Sequence, residues 1–219
     1  SGRRLGAAFS SSTRGIWAMG STPTKVNVID YVEISTLGNA IDFGDSMTTG
    51  ATMAGCSSPT KGIFNAGRVT SPSTYWEDRV EEVTMASKGN SIEFGNLTYA
   101  PASNASFSNS VRGFFAGGHT NPNYVAIVPG PIDYMTIATG GNAVRFGDLP
   151  AKRTSTTGCA SQTRGFIMGG YGGESPVHSN SIDYIEIASA GNSMDFGDLV
   201  NKLESGGSLS DSHGGLGGF

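Results

Sequence analysis

Apolar and polar residues alternate along short stretches of this chain, and a glycine or a small polar pair closes each stretch. In Ile29-Asp30-Tyr31-Val32-Glu33-Ile34, apolar and acidic residues separate partly onto odd and even positions. A period of two is what a half-buried β-strand requires. Ile182-Asp183-Tyr184-Ile185-Glu186-Ile187 repeats the pattern almost residue for residue. Other stretches are apolar runs that end in glycine: Ile16-Trp17-Ala18-Met19-Gly20, Phe114-Phe115-Ala116-Gly117-Gly118 and Phe166-Ile167-Met168-Gly169-Gly170. No segment carries a sustained helical period with caps. The pattern predicts an all-β chain with almost no helix.

The strands recur in register. Phe43-Gly44-Asp45 returns as Phe94-Gly95-Asn96, Phe146-Gly147-Asp148 and Phe196-Gly197-Asp198, with glycine spacings of 51, 52 and 50. Five residues before each of these glycines stands an Asn after a Gly, at Asn39, Asn90, Asn142 and Asn192. A basic residue plus Gly opens another element at Arg14, Lys61, Arg112 and Arg164, and His213-Gly214 begins a fifth copy. Each unit reads as four strands. The first is small and polar, as over 49–58. The second is the apolar run, the third alternates, and the fourth passes through Phe-Gly-Asp. The Gly-Asn pair suits a two-residue hairpin turn between strands three and four. The expected units are 3–47, 48–98, 99–149, 150–200 and a partial 201–219, forming one domain or part of one.

The unit resembles the kelch repeat and the related galactose-oxidase-type propeller. Gly117-Gly118 and Gly169-Gly170 carry the resemblance, with Met19-Gly20 and Ala66-Gly67 as weaker forms. The tyrosine strand that follows supplies Tyr31, Tyr134 and Tyr184, while the second unit has Glu82 there. The kelch tryptophan of the fourth strand is absent, and Phe43, Phe94, Phe146 and Phe196 stand near its place. Residues 182–199 are also similar to repeats in structural, tail-associated proteins of marine phages. The resemblance implies a kelch-like β-propeller of roughly fifty-residue, four-stranded blades. Four units plus half of a fifth do not close a ring neatly. Further chain is expected to complete it, with a second chain or a four-bladed ring as the alternatives.

Composition narrows the function classes. Glycine is abundant, with 33 residues, but has no triplet period, which argues against collagen. The net charge of −4 leaves no basic stripe for phosphates, so no nucleic-acid partner is expected. No apolar stretch is long enough for a membrane span. Cys56 and Cys159 occupy equivalent places two units apart, where Phe9 and Phe107 stand in the other units, which reads as buried packing. The recurring Asp45, Asp148 and Asp198 read as turn residues rather than calcium ligands. The basic markers read as edge residues that pair with acidic neighbours. His119 and His178 each follow a second strand, but no Tyr/Cys pair accompanies them as copper-oxidase chemistry needs. No cofactor and no metal site are expected.

The copies disagree most in the loops between strands two and three. These loops hold Tyr75, Trp76, His119, Tyr124, Tyr171 and His178. Function concentrates on variable loops held by a rigid scaffold. Exposed aromatics with short polar neighbours suit stacking on sugar rings or a protein contact. The reading at this level is a non-enzymatic binding or structural propeller, on a virion or outside a cell. Its partner is expected to be a glycan, a neighbouring virion or surface protein, or a further copy completing the ring. A purely architectural assembly module and a secreted carbohydrate-active or oxidase-like enzyme domain are the alternatives. Gly44, Gly95, Gly147 and Gly197, with the four Asn markers, are expected to be scaffold.

Overall fold

The computed structural model of the chain describes residues 2–70, 75–120, 129–172 and 177–210. Every regular element among them is a strand. The first unit holds β1 (Ala7–Ser10), β2 (Arg14–Thr22), β3 (Thr24–Glu33) and β4 (Ile41–Ala51). The second holds β5 (Gly55–Ser57), β6 (Lys61–Val69), β7 (Tyr75–Thr84) and β8 (Ile92–Asn96). The third holds β9 (Ala105–Ser108), β10 (Arg112–Ala116), β11 (Gly130–Thr136) and β12 (Val144–Leu149). The fourth holds β13 (Arg153–Thr154), β14 (Thr157–Ala160), β15 (Arg164–Met168), β16 (Tyr171–Gly172), β17 (Val177–His178), β18 (Ser181–Glu186) and β19 (Met194–Asp198).

These strands do not build a closed kelch-like propeller of uniform blades. They form four open sheets of unequal size, with eight, four, three and four strands. The physical reasons are local. β4 runs on through Ala51 and pairs with β6 through Gly50↔Val69 and Ala51↔Arg68, which fuses the first two units into one sheet. In the fourth unit, β13 pairs with β16 and β16 with β17, so a small sheet splits off. Among the described residues no strand of the first unit pairs with a strand of the fourth. The resemblance to kelch-like and phage tail repeats is therefore not carried by the fold.

The Gly-Asn pair is not a two-residue hairpin either. β3 ends at Glu33 and β4 starts at Ile41, so Gly38-Asn39 lies in a longer connection. Its copies reach across to the preceding unit. The Gly89 amide donates to the Phe43 carbonyl at 2.9 Å, the Gly141 amide to Phe94 at 3.0 Å, and the Gly191 amide to Phe146 at 2.9 Å. The Asn90, Asn142 and Asn192 side-chain oxygens accept from the Asp45, Asn96 and Asp148 amides at 2.9, 3.1 and 2.9 Å. The amides of Ser91, Ala143 and Ser193 complete each set by donating to the Asp45, Asn96 and Asp148 carbonyls.

A β-bulge makes this contact fit. In each unit the register shifts where the third strand's acid faces the fourth strand, at Ile29/Asp30, Val80/Glu81, Ile132/Asp133 and Ile182/Asp183. The Phe is the extra residue, and the bulge aims its ring into a core. The following Gly leaves its Cα bare for the next unit's corner. A Cβ at Gly44, Gly95 or Gly147 would meet the carbonyl oxygen of Gly89, Gly141 or Gly191 at 2.4, 2.3 or 2.0 Å.

The apolar cores lie between units. One joins Phe9, Ile16 and Phe43 to Phe64, Val83 and Met85; a second joins Cys56, Ile63 and Phe94 to Phe115, Met135 and Ile137. A third joins Phe107, Phe114 and Phe146 to Ile167, Ile185 and Ile187. A single unit therefore cannot bury its own faces, as in other repeat arrays. A second thread runs along the first strands. Leu5, Thr52, Ser103, Ser155 and Ser205 all hold positive φ between 53° and 66°. Each amide from Thr52 onward donates to the carbonyl one unit earlier, at 2.8, 2.9, 2.7 and 2.9 Å.

Gly95 and Gly197 occupy the same place in the repeat, with φ of +155° and +142°. A Cβ at Gly197 meets nothing within 4 Å. Substituting alanine at either costs backbone strain, on the order of 1 kcal/mol, and Gly95→Ala adds a collision that costs about 2 kcal/mol more. Urea unfolding of the two variants measures the gap. Equal losses would mean that the corner does not seat on the bulge glycine.

Candidate functional site

Three regions invite chemistry: the expected loop face, the groove along the first strands, and the two ends of the array. The loop residues are drawn together more than their spacing shows. Trp76 lies edge-on to His119, with ring centroids 6.3 Å apart. His119 Nδ1 shares a hydrogen bond with Thr154 Oγ1 at 2.9 Å, and Thr154 pairs with Tyr171 across β13 and β16. Tyr171 stacks edge-on with His178 at 5.5 Å, and His178 lies 3.3 Å from Glu204. A shallow depression of about 290 Å³ opens beside Thr154, Tyr171, His178 and Glu204. Tyr75 is half-buried at the start of β7. Tyr124 lies outside the described residues.

This strip reads as packing for most of its length. His119 is buried, and the Arg68 guanidinium lies 5.6 Å from the Trp76 ring. Burial, and then the charge of Arg68, pull the His119 imidazole down to about 4, so the ring is neutral at physiological pH. Trp76 and His119 join the second and third units rather than offering a free aromatic surface.

The groove is larger, about 450 Å³, and follows the first strands of successive units. Main chain, small side chains and the hydroxyls of Ser10, Ser106 and Ser208 line much of it. Among the described residues the one titratable group lining it is Cys56, and burial pushes that thiol up to about 12. A thiol so held is protonated and a poor nucleophile. Among the described residues no group of three or more His, Cys, Asp or Glu is arranged to hold a metal ion.

A half-buried alternating strand would turn its acids to solvent. Glu81, Asp133 and Asp183 are buried instead, because units pack on both faces. Each is matched. Glu81 accepts from Ser46 and Ser91 hydroxyls at 2.7 and 2.5 Å and faces Arg79 at 3.1 Å. Asp133 accepts from the Thr98 amide and hydroxyl at 2.7 and 2.8 Å, and burial raises its pKa above the usual carboxylate value. Asp183 is in contact with the buried Arg153 guanidinium, which also donates to the Gly169 and Ser181 carbonyls at 3.1 Å. Other third-strand glutamates serve differently, with Glu82 at the tyrosine position of its unit. Glu33, Glu82 and Glu186 pair with the basic markers Arg14, Lys61 and Arg164 at 2.8, 2.8 and 2.7 Å. Arg112 instead reaches the Ile187 carbonyl in the next unit at 2.6 Å.

The ends of the array carry groups that the interior consumes. Phe43, Phe94 and Phe146 are 2, 6 and 4% exposed, whereas Phe196 is 55% exposed. At the other end, Trp17 is 45% exposed, while Phe64, Phe115 and Ile167, its equivalents, are fully buried. Ile41 and Met194 are exposed too, but so are Ile92 and Val144 at the same place in the internal units, so Trp17 and Phe196 alone distinguish the end units here. Sequence reasoning missed these faces because a marker reads the same whether or not a neighbour covers it.

No protein-family model matches the sequence, and no curated protein is similar to it. The function expected from a propeller falls with the closed ring. That includes its glycan-contacting form, its architectural form and its enzymatic form. The described sheets are open and uneven in size.

Two measurements probe the buried polar groups. Arg153→Leu strands Asp183 as an unpaired buried carboxylate and lowers stability by about 3–5 kcal/mol. Replacing both Arg153 and Asp183 with leucine lowers it by less; a double variant worse than the single one would contradict the pairing. His119 sets a pH dependence. The unfolded imidazole takes up a proton near pH 6.5 and the folded one only near 4. Stability from this group is thus full above pH 6.5 and is lost as pH falls towards 4, on the order of 1–3 kcal/mol. Asp133, with its raised pKa, works in the opposite sense. Urea unfolding at pH 7 and pH 4.5 should therefore show a flatter profile in His119→Asn than in the wild type.

Proposed function

We propose that the chain is a non-catalytic scaffold that binds protein through the faces carrying Trp17 and Phe196. One observation carries this reading. Trp17 and Phe196 are about half exposed at positions that are closed at every internal junction of the array. Large aromatics framed by unused main-chain donors and acceptors are typical anchors of protein interfaces. Apolar area of this kind gains most from a partner that offers both cover and hydrogen bonds.

Two further features support it. Of the titratable groups with shifted values, Cys56, Tyr99, His119 and Arg153 owe the shift first to burial within the array. The groove presents hydroxyls and main chain, with only the protonated Cys56 thiol as a reactive group.

Immobilised wild type and a Trp17→Asp/Phe196→Asp variant, offered the same protein mixture, test the reading. Protein retained by the wild type and not by the variant is the expected result. Equal retention by both would overturn it. So would a set of sugars or nucleosides retained by both chains when no protein is.

A further inference from the structure

Where the first two units fuse into one sheet, two cations come together without an acid. Lys25 lies on β3 next to Val26, which pairs with Gly50 of β4, and Gly50 pairs in turn with Val69 of β6. The Lys25 side chain reaches across β4, and its Nζ donates to the Arg68 and Val69 carbonyls at 2.7 and 3.3 Å. An ammonium carries three donors, so one is left for an outside acceptor. Arg68 faces Trp76 across β6 and β7, with its guanidinium 5.6 Å from the centre of the ring. Burial, and then the charge of Arg68, pull the Lys25 ammonium down to about 8. The same Arg68 charge acts on His119 from the other side.

Two observations set this pair apart. Most arginines of the chain, Arg3, Arg14, Arg79, Arg145, Arg153 and Arg164, face a carboxylate. Among the described residues no carboxylate pairs with Arg68 or Lys25. Residues 71–74 and 121–128, which follow β6 and His119 in the chain, contain no Asp or Glu. The second observation concerns neutral donors as well as charge. Arg68 Nε and Trp76 Nε1 are buried, and neither makes a hydrogen bond among the described residues. Folded chains leave few buried donors unmatched, and an ion is one of the groups that matches them. Like charges held side by side and donors in want of an acceptor call for the same thing, an anion.

We propose that Lys25, Arg68 and Trp76 form a binding site for a carboxylate group, carried by an acidic protein segment or by a free small acid. The planar Arg68 fork takes both carboxylate oxygens. The Lys25 ammonium adds the second positive charge, and the Trp76 ring backs the guanidinium. The main chain that Lys25 touches presents carbonyls, whereas phosphate sites use nests of amides. One guanidinium and one ammonium suit a carboxylate better than a doubly charged phosphate set against those carbonyls. The site depends on neither Trp17 nor Phe196, so it stands or falls apart from the protein-binding reading.

Isothermal titration of the full chain with glutarate and with an oligoglutamate peptide tests the site. Saturable binding of at least one probe is the expected result. Peptide bound much more tightly than glutarate assigns the carboxylate to a protein segment; similar affinities assign it to a free acid. Arg68→Gln weakens binding roughly tenfold or more. Arg68→Lys restores only part of the loss, because an ammonium cannot hold both oxygens. Lys25 gives a signature that needs no variant. In the free chain its side chain is mostly neutral at about pH 9, and a carboxylate beside it draws a proton back onto Nζ. Heats measured in two buffers of different ionisation enthalpy therefore show proton uptake on binding at that pH, and Lys25→Gln abolishes it.

Failure of both probes to bind would overturn the site. So would binding that Arg68→Gln leaves unchanged, or binding without proton uptake in the wild type. Inorganic phosphate bound more tightly than glutarate would overturn the assignment to a carboxylate.

Discussion

The seating of a Gly-Asn corner on a Phe-Gly bulge is the contact on which the rest of the structure depends. It adds three hydrogen bonds to each junction. At a net value of about 1 kcal/mol each, the bonds alone are modest. Their larger effect is positional. The bulge turns Phe43, Phe94 and Phe146 into the cores, and the bare glycine brings two main chains close enough for those cores to close. Apolar burial then does most of the stabilising, and it does so between units. Stability in such an array is a sum of junction contributions, with no unit stable alone.

Stacking on both faces also explains where the charges went. An open sheet with one wet face would leave the third strand's acids in water. Here Glu81, Asp133 and Asp183 are covered, and each is held by hydroxyls, main chain or a guanidinium. Buried charges of this kind add little net stability but penalise misregistered packing heavily. A one-residue slip of β7, β11 or β18 would turn its acid away from its partners. The positive-φ thread from Leu5 to Ser205 repeats the same constraint on the other edge of each unit.

The same logic relocates the candidate site. Variable loops with aromatics looked like the functional surface, yet Trp76 and His119 are used to join units. Scaffold positions are exposed wherever no described unit covers them. Phe196 and Phe146 are the same residue in the same motif, and only packing makes one exposed and the other core.

The sequence by itself determined the strand content, the period of the repeat and the identity of its markers. Alternation, glycine-closed apolar runs and the recurring Phe-Gly are local features, and local sterics and burial act on them directly. Tertiary structure alone decided how the strands were shared among sheets, because β4's extension through Gly50 and Ala51 depends on its pairing with Val69 and Arg68. It also decided that Gly-Asn contacts a neighbour instead of closing a hairpin, that the third strand's acids are buried, and that the described sheets are open. Each of these depends on which unit lies alongside, roughly fifty residues away, and a period along the chain carries no record of that.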